Sequence, residues 1–179
     1  ETAADSQLAG GHLARDRPLR DRMTGNIAAD DARHGEAAGD GVRRPAAARL
    51  LLQRPELGGR YVRTDVSVEA DVRALMAAAA ELEGRIDICV NNAGISTAAP
   101  LVELEEVDVE RHFRVHTLGA LFGMKHAAAH MPPGSAIVNT GSVTGLQGSP
   151  DLLDYSMTKG GIHAFTRSLS TNLIEKGIR

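Results

Sequence analysis

Residues 86–94 read IDICVNNAG, a mostly apolar run that stops at two asparagines and a glycine. A strand with one wet face alternates polar and apolar side chains. A nearly continuous apolar run instead predicts a strand covered by helices on both faces, as in a parallel sheet. Its polar, glycine-containing end predicts a tight turn where backbone can approach a ligand closely.

Outward from this stretch, strand and helix patterns alternate across residues 61–179. Upstream, RYVRTD (60–65) predicts a short strand ending at Asp65. Ser67 then reads as the cap of a helix on which Val68, Val72, Leu75, Met76, Ala79 and Leu82 recur at helical spacing. Downstream, a helix is predicted over about 107–131, a strand in SAIVNTGS (135–142), and a further helix after Pro150 with Ile162, Phe165, Leu169 and Leu173 on one side. This order of elements predicts an α/β protein with a parallel sheet.

Residues 1–60 are unlike the rest. They hold ten arginines and eight glycines but one valine, one isoleucine and no aromatic residue, against eleven valines and seven isoleucines in 61–179. Strands need β-branched and aromatic side chains, so this third reads as irregular or disordered, with a short helical piece at AAARLLLQ (46–53). The chain thus divides into 1–60 and a domain over 61–179.

The formal net charge is −3 and no basic run occurs, which argues against nucleic acid or an anionic membrane surface as partner. No apolar run approaches the roughly 20 residues that span a bilayer. The single cysteine, Cys89, reads as buried core filler in a reducing compartment, and a cytoplasmic location is expected.

Ligands of an open parallel sheet bind outside the carboxyl ends of its strands, which here carry Asp65, the NNAG turn and Gly141–Ser142. Tyr155 and Lys159, four apart at the start of a helix, project from one face, and an ammonium beside a phenol favours the phenolate. Such a pair can give and take a proton near neutral pH. Ser142, thirteen residues before Tyr155, supplies a hydroxyl that can polarise a carbonyl oxygen. Two pairs at helical spacing, His112 with His116 and His126 with His130, have metal-binding geometry but no evident third ligand, so a packed or solvated face is the preferred reading and no metal is expected.

NNAG, then IVNTGS, then DYSMTKGGIHAFTRSL, in this order, resemble the classical short-chain dehydrogenase/reductase family over residues 61–179. The resemblance implies a Rossmann-type doubly wound parallel sheet and an oxidoreductase that uses NAD or NADP to move hydride to or from an alcohol or carbonyl substrate. It implies Tyr155 as acid/base, Lys159 as its activator and ribose holder, and Ser142 as substrate polariser. Asp65 and Val66 would contact the adenine, and Asn92, Ala93 and Gly94 would line the cofactor. In the family an asparagine stands where FRVHTLG has His116, and its backbone carbonyl holds a water that relays protons to the lysine, which places His116 among the catalytic positions. A homo-oligomer is implied as well.

The family's glycine-rich phosphate turn is not recognisable in residues 1–60, and NLIEKGIR (172–179) reads as stopping where the next strand begins. The composition break fits a one-nucleotide frame change upstream of about residue 61: with suitable codons, GHLARDRP (11–18) read one nucleotide later spells GISRGIGR. In the family's sheet order, the strand near Tyr61 and that near Val90 are separated by strands not found here, which predicts exposed strand edges and helix faces. The rival reading is an inactive truncated or frame-shifted fragment that acts, if at all, through helix–helix association.

Overall fold

A computed structural model describes residues 60–179. The expectations for residues 1–59 lie outside the described residues. Two parallel strands, β1 (Ile88–Asn91) and β2 (Ala136–Asn139), pair in the register Ile88 with Ala136 through Asn91 with Asn139. Helix α1 (Glu69–Glu83) precedes β1. Between the strands lie α2 (Glu106–His112), a π-helical turn (Phe113–Leu118) and α3 (Gly119–Ala127). After β2 come the short α4 (Thr144–Gln147) and the long α5 (Leu153–Leu173). The β1–helix–β2 unit is the parallel crossover predicted from the apolar run.

The core gathers where α1, α3, α5 and the strands meet: Val72, Leu75 and Met76 of α1 pack with Cys89, Ala127 and Leu173. Cys89 is the core filler expected, and burial pushes its thiol pKa up to about 11. Polar groups are paired inside this layer. Asn91 Nδ2 donates to Asn139 Oδ1 across the ladder at 2.8 Å, and Asn139 Nδ2 donates to Thr166 Oγ1 of α5 at 3.0 Å. Gly123 makes room for that bond, because a Cβ there would lie 2.0 Å from Asn91 Oδ1. The last residue joins the sheet edge: Arg179 N–H donates to Ser135 O and Ile137 N–H to Arg179 O.

Four local expectations are corrected. Residues 60–65 form no strand, since a strand exists only through a ladder and no described strand lies beside them; Thr64 is nonetheless buried and Val62 packs on the core. Ser67 does not cap α1. Its N–H and hydroxyl both bind Asp65 Oδ1, at 2.9 and 2.6 Å, so the hydroxyl is turned back and the cap position falls to Val68. The helix start is instead favoured by Glu69 and Asp71 in its first turn, and Asp71 Oδ2 also accepts Asp65 N–H. The predicted helix over 107–131 is interrupted by the π turn, a local irregularity that recurs at functional sites. Finally, the described residues leave one face of β1 partly open: Val90 is 54% exposed and its ladder partner Val138 is 49% exposed.

Candidate active site

Helix α5 carries Tyr155, Lys159 and His163 at successive intervals of four, so all three point to the ends of β1 and β2. Lys159 is buried, and its Nζ donates to Thr140 O, just past β2, at 2.8 Å. The same ammonium lies 5.6 Å from the centre of the Tyr155 ring. Burial pulls its pKa below the ordinary lysine value, because removing water penalises the charged form.

His116 faces the same point from the π turn. Its Nε2 accepts the Ile95 N–H at 2.9 Å, so Nδ1 carries the proton and donates to Thr158 Oγ1 at 2.8 Å. Thr158 in turn donates to Tyr155 O at 2.8 Å. The His116 ring stands edge-on to Tyr155, with centroids 5.2 Å apart. Its pKa is pushed down to about 4, first by burial and then by the Lys159 ammonium and His112. Near neutrality His116 is therefore an uncharged bracket with both nitrogens committed, joining the turn after β1 to α5.

That turn supplies Asn92, Ala93 and Gly94. Asn92 Oδ1 accepts the Thr140 hydroxyl, which ties the two strand ends together. A Cβ on Gly94 would come within 3.1 Å of His116 Nε2 and 3.9 Å of Lys159 Nζ, so glycine keeps the space above both open. Ser142 sits two residues beyond the carbonyl held by Lys159. Its hydroxyl bonds Thr144 Oγ1 at 2.9 Å and accepts Thr144 N–H at 3.2 Å, while its own N–H points to His163 Nε2 at 3.4 Å.

Tyr155, Lys159, His116 and Gly94 are thus brought together, and Ser142 belongs to the strand end that Lys159 grips. Asp65 and Val66 have other contacts: Asp65 is exposed with Oδ1 committed to Ser67, and Val66 packs on Gly119, just after the π turn. Thr140, Thr158 and His163 were missed. Their signal was present for the two on α5, since Thr158 precedes Lys159 and His163 extends the Tyr155–Lys159 stripe by one interval. The histidine pairs read as possible metal holders have other partners: His112 faces Asp154, and His126 with Lys125 binds Glu69.

No helix among the described residues is long and apolar enough to cross a membrane. The family model described as Enoyl-(Acyl carrier protein) reductase matches residues 40–179, of which 40–59 lie outside the described residues. Among known proteins, the chain is similar to the NADPH-dependent aldehyde reductase 1, chloroplastic, of Arabidopsis thaliana, with 40% identity over 65% of this chain and 41% of that protein. It is similar to the glucose and ribitol dehydrogenase of Daucus carota, with 48% identity over 54% of this chain and 33% of that protein. The chain therefore spans less than half the length of these relatives. Among solved structures, a blue fluorescent protein from a metagenomic library in complex with NADPH superposes with a TM-score of 0.69 at 30% identity, over 74% of this chain and 55% of the other. A short-chain dehydrogenase/reductase of glucose/ribitol dehydrogenase type from Brucella melitensis gives a TM-score of 0.68 at 30% identity, over 73% and 57%. The fold is thus of the Rossmann α/β type, and the chain belongs to the short-chain dehydrogenase/reductase family of oxidoreductases.

Proposed function

We propose that the described residues form the catalytic half of an NAD(P)-dependent oxidoreductase that interconverts an alcohol and a carbonyl compound. The observation that carries this reading is the Tyr155–Lys159 pair on one face of α5, with Lys159 Nζ fixed on Thr140 O and 5.6 Å from the Tyr155 ring. In the oxidative direction Tyr155, as phenolate, takes the proton of the substrate hydroxyl; in reduction it returns that proton to the carbonyl oxygen. The Ser142 hydroxyl swings from Thr144 to the substrate oxygen and donates to it. His116 moves no proton and holds Ile95 and Thr158 in place.

The nicotinamide would accept or deliver the hydride at the substrate carbon when bound. The donor set fits its ribose. Lys159 has three N–H donors, of which one binds Thr140 O, and Gly94 leaves open space beside it. Asn92, Ala93 and Gly94 would border that half of the cofactor, and Asp65 with Val66 the adenine. The names of the relatives, an aldehyde reductase and glucose and ribitol dehydrogenases, support small aldehydes and polyols as the substrate class. A cytoplasmic location and self-association belong to the same proposal, the latter supported by exposed Val107 and Phe113 on the helices between the strands.

The test is turnover of a small aldehyde panel with NADPH and NADH by the full chain, beside Tyr155→Phe. Loss of general acid–base catalysis lowers kcat by about 100- to 10,000-fold. A Tyr155→Phe protein with undiminished turnover ends the acid/base assignment. Absence of nucleotide binding together with clear self-association favours the fragment that acts only through its helices.

A further inference from the structure

Among the described residues, His112 and Asp154 are buried polar side chains that this chemistry leaves unused. Both side chains are almost fully enclosed, at 2% and 1% exposure, and His112 Nδ1 lies 2.8 Å from Asp154 Oδ2. A carboxylate out of water is costly unless it is paired and hydrogen-bonded. Here each oxygen has its own task. Oδ1 accepts the backbone N–H of Tyr155 at 2.8 Å, one of the amides that the first turn of a helix leaves unsatisfied. Oδ2 is buried, lies beside His112 Nδ1 and has no hydrogen-bond partner among the described residues. Nδ1 also lies 3.0 Å from Asp108 O, so it faces two acceptors and carries the ring proton, while Nε2 is buried without a partner.

A second contact between the same two segments is the hydrogen bond of His116 to Thr158. His112 and His116 are four apart on one segment, Asp154 and Thr158 four apart on the other, so His112–Asp154 and His116–Thr158 form two successive rungs between them. The rung residues on α5 grip the same neighbour: Asp154 Oδ1 holds the N–H of Tyr155 and Thr158 Oγ1 holds its C=O. The histidine rings are themselves stacked edge-on, 5.5 Å apart, and His116 is edge-on to Tyr155.

We infer that the His112–Asp154 pair is a positioning device that fixes the rotation of α5 and thereby the direction of the Tyr155 side chain. Rotation about the α5 axis would break both rungs at once, so the pair converts a helix contact into an angular constraint on the residues one step further on, Tyr155 and Lys159. The consequence for turnover rests on the oxidoreductase reading; the constraint on Tyr155 does not.

The chain has no tryptophan and two tyrosines, Tyr61 and Tyr155. In a Tyr61→Phe background the full chain's tyrosine emission therefore reports Tyr155 alone, and acrylamide quenching reads its accessibility. Asp154→Ala and His112→Phe raise the quenching constant, and His112→Asn, whose amide nitrogen sits near the place of Nδ1, restores the wild-type value. Val72→Ala, a core truncation in α1, lowers stability without moving it. Asp154→Asn keeps the shape and presents a donor where Oδ1 or Oδ2 must accept, so it serves if the larger changes prevent folding, as checked by far-UV circular dichroism. In turnover, these losses appear in kcat on the order of 100-fold with KM changed far less, the signature of misplaced reacting groups. Folded Asp154→Ala and Asp154→Asn proteins with wild-type quenching overturn the inference, and so does an equal rise in Val72→Ala. A wild-type chain without turnover whose Asp154 variants still raise quenching would end the enzyme reading and leave the positioning pair standing.

Discussion

His116 makes folding stability depend on pH in a way that one substitution isolates. In the fold its pKa is pushed from the ordinary 6.5 to about 4, by burial first and by the Lys159 ammonium next. The unfolded chain then binds more protons than the native one between those two values, so stability is fully present above about pH 6.5 and is lost as pH falls towards 4. At roughly 1.4 kcal/mol per pH unit of separation, the loss is about 2 kcal/mol at pH 5 and approaches about 3 kcal/mol at pH 4. Other carboxylates and histidines titrate over the same range, and comparison with His116→Asn cancels them to the extent that they are independent of this site. Asparagine keeps an acceptor for the Ile95 N–H and does not titrate. Urea unfolding of both proteins from pH 7 to pH 4.5, followed by far-UV circular dichroism, gives the difference at each pH. The wild-type protein loses its margin over the variant along the stated curve. A difference that stays flat across this range would refute the buried, uncharged bracket and return His116 to the solvated helix face.

Two glycines give sharper steric tests. Gly123→Ala places a methyl 2.0 Å from Asn91 Oδ1, so the Asn91–Asn139 bond must break or α3 must shift; a cost of about 2–4 kcal/mol is expected in urea unfolding, and a loss within experimental error would show that α3 does not sit on the ladder as described. Gly145→Ala meets backbone rather than a movable side chain, with its Cβ 2.7 Å from Gly160 N, so α4 must lift from α5 and carry Ser142 with it. Stability falls by about 1–3 kcal/mol, and aldehyde turnover falls more than nucleotide binding; unchanged turnover would separate Ser142 from the site.

Local periodicity made the helices and the two strands legible. Val72, Leu75 and Met76 recur at intervals that place one face inward, and IDICVNNAG has the composition of a sheet interior. Tyr155 and Lys159 were legible for the same reason, because four residues on a helix fix their mutual direction without reference to the rest of the chain. The reading failed where a residue's role is set by something distant in sequence. RYVRTD has a strand's composition, yet a strand requires a neighbour to complete its ladder. Ser67 has the identity of a cap, yet Asp65, two residues earlier, engages its hydroxyl first.

The histidines show the limit most clearly. From their spacing, His112 and His116 share one helix face, and the sequence reads that face as packed or solvated, with metal binding the less favoured alternative. In the fold they are two halves of two different pairs, each completed by a residue on α5 in the stretch LDYSMTK, 42 positions further on for His116 and Thr158. Spacing along one helix states which side chains share a face; it does not state what that face meets. What it meets here is decided by how α5 crosses the π turn, a tertiary fact. Once the crossing is known, the sequence around Tyr155 acquires a second meaning: Asp154 and Thr158 precede Tyr155 and Lys159 and hold the Tyr155 backbone N–H and C=O. Tyr155 therefore owes its direction as much to His112 and His116 as Lys159 owes its hold to Thr140.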